Sequence, residues 1–269
     1  MAHRNTRKKH QHRAGGGQKS PQQRASQGSR VSAASPGPSA SARSDAFPTG
    51  AAAGLLIDLH GFWHPGTGRG DGAGADAVVH RDGAGLPFLP GRTVKGLLRQ
   101  AVRLGVEAGI DGLSKDVEEL LFGSELPGFG SPDHRVRCLE EERFATQAGV
   151  LLVGSARLGA GIAEATKWQA YAKSEEGAQM VQHLLGAISS TALDEHGVAE
   201  DHSLRTIEVV VPVTLYAPLQ ARSLKPGAPP PNIPWEAVDT AVRLFLRAVG
   251  SHRNRGLGRC SAAIVSEAP

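Results

Sequence analysis

Residues 86–103 read LPFLPGRTVKGLLRQAVR. Two prolines and a glycine make the first half a turn, and the second half has helical periodicity. Thr93 is placed as an N-cap. Val94, Leu97, Leu98, Ala101 and Val102 follow at the i, i+3, i+4, i+7, i+8 spacing of one buried helical face. Arg92, Lys95, Arg99 and Arg103 form a second stripe, well separated from the first. A helix start at Pro90–Gly91 with cations close by suits a phosphate, because its backbone N–H groups have no partner within the helix. Spacing alone also describes an ordinary solvated face of an amphipathic helix, and favours it.

The elements around this helix set the fold class. Residues 52–60 (AAGLLIDLH) predict a strand. A long glycine-rich loop, 61–74, leads to a short extended piece at 76–80. A short helix is expected over Asp116–Leu121, and a strand over Val150–Leu158. Residues 160–203 are mixed, mostly helical, with a polar end. Thr206–Tyr216 is one long β-rich run in which Pro212 implies an edge or a bulge. After the loop PGAPPPNIP, apolar residues at Trp235, Val238, Val242, Phe245 and Val249 mark a second helix, and Cys260–Val265 closes as a strand. The order β, α, β, β, α, β is that of the split βαβ, ferredoxin-like unit. It predicts an α+β domain over 49–269, an antiparallel sheet with two helices on one face, and insertions at about 61–85, 110–149 and 160–204.

Composition narrows the function classes. The chain has 269 residues, 30 Lys+Arg and 26 Asp+Glu. Nine of the basic residues and one acid lie in residues 1–48, whereas 49–269 hold 21 basic and 25 acidic residues. The basic pI is therefore a property of the tail. Residues 1–48 are poor in large apolar side chains and are expected to be disordered. Such an arm holds RNA loosely by counterion release, or simply solubilises the chain. No stretch approaches the ~18 apolar residues of a membrane span. The start MAHRNTRKKHQHRAGGG lacks the apolar segment of a secretory signal. Two cysteines, Cys138 and Cys260, are too few for a disulfide framework or a Cys-rich zinc module, so a cytoplasmic location is expected.

Two further segments carry candidate chemistry. Gly250-Ser-His-Arg-Asn-Arg-Gly-Leu-Gly-Arg259 combines glycines at 250, 256 and 258 with His252, Arg253, Arg255 and Arg259. Glycine permits close backbone approach, and the cations suit a sugar–phosphate backbone; a tight connection with exposed arginines is the plain alternative. The loop lacks the GK[ST] of a phosphate-binding P-loop. Asp76 and Asp82 flank the extended piece before the first helix. A carboxylate there serves Mg²⁺ binding or proton transfer, or only forms a turn. His60 and His64 are four apart, but Pro65–Gly66 argues against a helical metal pair.

Together these segments resemble the RAMP superfamily of CRISPR-associated proteins, and especially the backbone subunits of type III effector complexes. Asp76-Ala-Val-Val-His-Arg-Asp82 and Leu89-Pro-Gly-Arg-Thr-Val-Lys-Gly-Leu-Leu-Arg99 look like that family's aspartate segment and its PGSSLKGxLR motif. Leu121-Phe-Gly123 matches its LFG, and Val153-Gly-Ser-Ala-Arg-Leu158 its following strand. Thr191–Asp194, Gly197–Ala199 and Leu204–Glu208 look like its thumb region, and Gly256-Leu-Gly-Arg259 its C-terminal glycine-rich loop. Arg92-Thr93 replaces the usual Ser-Ser, Phe62-Trp-His-Pro-Gly-Thr-Gly68 replaces the commoner LHIG text, and the basic tail is not a usual feature.

The resemblance implies an RRM-like core with a thumb insertion, aligned along a CRISPR RNA. It makes Asp76 the catalytic residue for target-RNA cleavage, supported by a divalent metal ion, Mg²⁺ above others. Arg92, Lys95, Arg99, His252, Arg253, Arg255, Gly256, Gly258 and Arg259 become the RNA-binding set, with His64 and Asp82 as secondary candidates. No set of protein metal ligands is assigned. The implied partners are CRISPR RNA, target RNA, other CRISPR-associated subunits and neighbouring copies of the chain, with no membrane. A non-catalytic structural or accessory subunit is the alternative reading. A CRISPR-RNA-processing endonuclease using a histidine base, His64 or His252, is the second.

Overall fold

β1 (Ala52–Leu59) is aliphatic at almost every position and buried along nearly its whole length. That pattern requires strands on both edges and cover on both faces. The computed structural model describes residues 52–72, 74–124 and 147–266. In it β6 (Thr214–Ala221) and β7 (Cys260–Val265) flank β1, both antiparallel. β2 (Leu151–Val153) and β3 (Arg157–Leu158) pair with the far edge of β6. The sheet order is β2–β6–β1–β7, with β3 beside β6. A second, two-stranded sheet joins β4 (Leu185–Ser190) and β5 (Arg205–Val210).

Registry explains the core. Leu55 lies opposite Ala217 and Ile264, and Ile57 opposite Leu215 and Ala262, so one face is a continuous apolar layer. Helix α1 (Gly91–Glu107) adds Val94, Leu98 and Val102 to this core, and α5 (Trp235–Phe245) adds Trp235, Val238 and Val242. On β1's other face, Leu56 lies opposite Tyr216, whose ring fills the space that a side chain at Gly54 would need. Asp239 ties α5 to the sheet. Its buried carboxylate accepts the Ile264 backbone N–H at 2.6 Å and the Arg243 Nε–H at 2.6 Å.

The structure corrects several local expectations. Pro90, not Thr93, precedes the first helical residue, and the Thr93 N–H bonds to the Pro90 carbonyl at 2.8 Å. The Ser155 hydroxyl receives the Gly91 N–H at 3.2 Å. The expected strand 150–158 is broken in two, because its register on β6 steps by one residue between Val153 opposite Leu219 and Arg157 opposite Tyr216. This is a β-bulge. It lets Ala156 exchange both backbone hydrogen bonds with Leu89 (2.9 and 3.0 Å) and turns Ser155 toward the start of α1. The run 206–216 also divides, into β5 and β6, with Pro212 between them. Residues 160–203 hold the helices α3 (Ile162–Ala172) and α4 (Glu175–His183), in keeping with a mostly helical stretch, and also β4, which the sequence does not announce. β4 is poor in strand formers, and pairing of Ile188 with Ile207 and Ser189 with Thr206 supplies what propensity lacks. The basic tail 1–48 and residues 125–146 of the insertion at 110–149, which include Cys138, lie outside the described residues.

Helix α2 (Lys115–Phe122) is held against α1 by a buried carboxylate. Glu118 accepts from Arg99 Nε at 3.0 Å and from Arg103 at 2.6 Å, while Arg99 also donates to the Gly123 carbonyl at 2.8 Å. Burial pushes the Glu118 carboxyl up, but hydrogen bonds and charge from Arg103 and Arg99 more than reverse this, leaving its pKa below the ordinary glutamate value. A depressed folded-state pKa contributes stability that is present above the unfolded-state value and lost as pH falls through the folded one. Glu118→Gln is therefore expected to destabilise the fold at neutral pH by about 2 kcal/mol, a figure that allows for solvent around the half-exposed arginines. Denaturant unfolding at a series of pH values should show wild type and variant converging as the solution becomes acidic. A constant difference down to low pH would contradict the clamp.

Candidate nucleic-acid interface

The C-terminal end of β1 carries the chain into residues 60–66, and these are joined to the glycine-rich loop by main-chain hydrogen bonds. His60 N–H donates to the Arg259 carbonyl (2.9 Å), Gly258 N–H to Phe62 (2.8 Å) and Ser251 N–H to His64 (2.8 Å). The loop tip is a 3-10 turn, Arg253–Arg255. Two glycines are required here. At Gly250 (φ +82°) a Cβ would lie 2.6 Å from the His64 carbonyl oxygen. At Gly258 (φ +72°) one would lie closer still to that of Val249. Gly256, also at positive φ, faces open space. Arg253, Arg255 and Arg259 are exposed, and none has a carboxylate partner among the described residues. Arg253 lines a cleft of about 260 Å³ with Leu97 and Gln100 of α1, so loop and helix share one surface.

The two candidate histidines are internal to this arrangement. His64 is 2% exposed. Its Nδ1 lies 2.5 Å from the Glu208 carbonyl oxygen; a carbonyl only accepts, so Nδ1 carries the proton. The ring stacks on His252 with centroids 5.9 Å apart and planes 13° from parallel. His252 Nε2 is buried with no hydrogen-bond partner among the described residues. Burial, the nearby His64 and Arg255 all lower the His252 pKa, which favours the neutral ring. His252 and His64 shape the loop from beneath it.

Asp76 sits on a different support. Its N–H donates to the Thr206 carbonyl at 2.7 Å, and its Oδ2 accepts the Thr206 N–H at 2.7 Å. Its other carboxylate oxygen has no partner among the described residues, and the residue is exposed. Beside it opens a hollow of about 380 Å³ lined by Gly70, Gly72, Gly74 and Ala75. Asp82 is fully engaged instead. One oxygen takes the N–H groups of Ala84 and Leu86, and the other takes Arg157 (2.8 Å) and Gln169 (2.8 Å). It is a turn former and an anchor for α3, the structural alternative the sequence left open. Glu208, not singled out from the sequence, holds the same region by accepting the Val79 N–H at 3.0 Å and pairing with Arg81. As the lone acid in the 206–216 run it was the available signal.

The cationic stripe of α1 divides along its length. Arg92 is exposed at the helix start, near His80, whose pKa is lowered first by burial and then by this arginine. Lys95 Nζ donates to the Leu151 carbonyl at 3.1 Å; burial, then Arg222, then Arg99 lower its pKa. Arg99 and Arg103 turn to the buried Glu118 carboxylate. Arg222, at the end of β6, is a cation that the sequence reading missed. Cys260 is buried and its thiol is pushed up to about 12, which removes it as a nucleophile. Among the described residues no group of three or more His, Cys, Asp or Glu is disposed to hold a metal, and no helix is long and apolar enough to cross a membrane.

No curated protein matches the chain in sequence. Solved structures match its fold, and two of them are chains of type III-B Cmr-beta complexes. A chain of the cryo-EM structure of the type III-B Cmr-beta bound to cognate target RNA is 12% identical with a TM-score of 0.54, the match covering 81% of this chain and 98% of that one. A chain of the apo-state type III-B Cmr-beta structure is 12% identical with a TM-score of 0.52, covering 81% and 99%. The model of the RAMP superfamily matches residues 56–261. That span runs from β1 to β7 and takes in the Asp76 segment, the start of α1 and the glycine-rich loop, and on it this chain belongs to the RAMP superfamily.

Proposed function

We propose that this chain is a guide-RNA-binding backbone subunit of a type III CRISPR interference complex, and that in the assembled complex it cleaves target RNA at Asp76. The observation that carries the reading is the pairing of two features on neighbouring supports. Three arginines without carboxylate partners occupy a loop zipped to residues 60–66, and an exposed carboxylate with one unengaged oxygen is fixed to β5. The first suits a sugar–phosphate backbone and the second a reacting phosphate. Membership of the RAMP superfamily and the likeness to chains of a complex bound to target RNA support it. The order β2–β6–β1–β7, with α1 and α5 packed in one core layer, is read as ferredoxin-like, or RRM-like, and residues 160–204 as the thumb. CRISPR RNA, target RNA, other CRISPR-associated subunits and neighbouring copies are the partners this reading requires, in the cytoplasm.

The chemistry follows from positioning. In-line attack of a ribose 2′-hydroxyl on the adjacent phosphorus expels the 5′-oxygen, and it needs the backbone splayed at one nucleotide. Holding the strand by its phosphates on both sides supplies that geometry. Asp76 offers one carboxylate oxygen, which suits a Mg²⁺ ion that keeps most of its water and takes further ligands from RNA phosphates. Such an ion would neutralise charge building on the phosphate oxygens. Asp82, with both oxygens engaged, does not fit this role.

One observation favours a structural reading of the same residue. Half of the Asp76 carboxylate already anchors the loop to Thr206. A scaffold subunit without chemistry would keep Asp76 for that alone. The processing-endonuclease reading is weaker, because an imidazole buried like His64 does not reach a 2′-hydroxyl.

Asp76→Asn separates the first two readings, since an amide oxygen still accepts the Thr206 N–H. In the assembled complex, target-RNA cleavage is expected to fall by roughly 100-fold or more while guide loading and target binding stay at wild-type levels. Cleavage at the wild-type rate would select the scaffold. A second test concerns the loop. Replacing Arg253, Arg255 or Arg259 singly with Gln should each flatten the dependence of log affinity on log salt by about 0.7, the value for one single-strand phosphate contact. Equal slopes for all three variants and wild type would remove the loop from the RNA surface.

A further inference from the structure

Phe62 stands out among the exposed side chains. It is 46% exposed, next to Trp63, which is fully buried with its indole N–H on the Val211 carbonyl at 3.2 Å. With Trp63 inside, Phe62 is the neighbour turned to solvent. The ring makes no aromatic or cation contact among the described residues. Its own carbonyl receives the Gly258 N–H at 2.8 Å, and two residues earlier the His60 N–H reaches the Arg259 carbonyl. A half-exposed aromatic residue is thus fastened by its backbone to the edge of a loop carrying three cations without carboxylate partners.

We infer that Phe62 is a stacking platform for an unpaired RNA base, adjacent to phosphates held by Arg253, Arg255 and Arg259. The inference rests on the RNA-binding reading above and adds to it a contact with a base. Aromatic rings interleaved with arginines are the means by which proteins hold single strands irrespective of sequence, every base having a π-face. Charge decides between occupants. A protein surface packed on Phe62 would have to cover these guanidiniums and supply their counter-charges. A nucleic-acid strand brings a phosphate beside every base. His64 is buried, and the partly exposed ring of His252 already stacks on it, so Phe62 is the more open aromatic surface here.

The test measures binding of the full chain to a short unstructured RNA, and to an abasic strand of the same length, across a salt series. Phe62→Ala is expected to weaken RNA binding roughly ten-fold, the scale of a lost base–aromatic stack, with the salt slope unchanged. Phe62→Trp should bind at least as tightly as wild type, and Phe62→Leu should resemble Phe62→Ala. On the abasic strand all four proteins should bind alike. Thermal unfolding of the variants at the wild-type temperature confirms that the exposed ring has been changed without loss of the fold. If Phe62→Ala binds RNA as wild type does while Arg255→Gln flattens the salt slope, the stacking role is overturned and Phe62 faces a protein neighbour. Wild-type affinity in Phe62→Leu would also overturn it, by showing an apolar contact without stacking. If wild type binds neither strand, the RNA-binding reading itself falls.

Discussion

No side chain fits where residues 250 and 258 pass the carbonyls of His64 and Val249. That steric constraint decides how the two ends of the domain meet. It lets the last loop lie flat on the segment that follows β1, so that main-chain hydrogen bonds from Ser251 and Gly258 can reach His64 and Phe62. β1 and β7 then enter the sheet side by side, Leu59 opposite Cys260. The arginines of the loop gain a fixed direction from this, because their backbone is held although their side chains are free. A Cβ at Gly250 would push the loop away from His64 and so from the 60–66 segment, and one at Gly258 would break the loop's own closure onto Val249.

β5 is the second support. Thr206 fixes Asp76, the Glu208 carboxylate fixes Val79, the Glu208 carbonyl fixes His64, and Val210 exchanges backbone hydrogen bonds with Trp63 at 2.8 and 3.1 Å. One short strand therefore aligns the loop that bears the acid with the segment that bears the cationic loop. The body of the domain has more acidic than basic residues. Its positive surface comes from local placement, with the arginines of α1 nearest α2 neutralised by Glu118 and those of the glycine-rich loop left open.

Much of this was legible in the sequence, and the failures have physical causes. The periodicity of 94–102 located the buried face of α1, and alternating elements gave the strand and helix order of the core. Period and propensity are local quantities, and they found local features. They missed β4, whose strand character comes from its partner β5. They read 150–158 and 206–216 as single strands, because a bulge and a change of sheet at Pro212 depend on which neighbour is available. For the site, the sequence singles out the loop arginines and Asp76 as candidates, and the structure leaves both exposed. Sequence could not tell that Arg99 turns to Glu118, or that Asp82 is encircled by donors from three segments. Helical spacing places a side chain on a stripe, and tertiary packing decides what that stripe faces. Glu208 offers only the signal of a lone acid in an apolar run, and Arg222 has no motif around it, so what each holds emerges from the folded arrangement.

The central claim is that the free cations hold a guide RNA. The most direct measurement is to purify the chain with the proteins encoded beside it, extract the bound nucleic acid and sequence it. The account predicts short RNAs of uniform length sharing a repeat-derived 5′ segment. An absence of RNA, or a random mixture of cellular sequences, would contradict it.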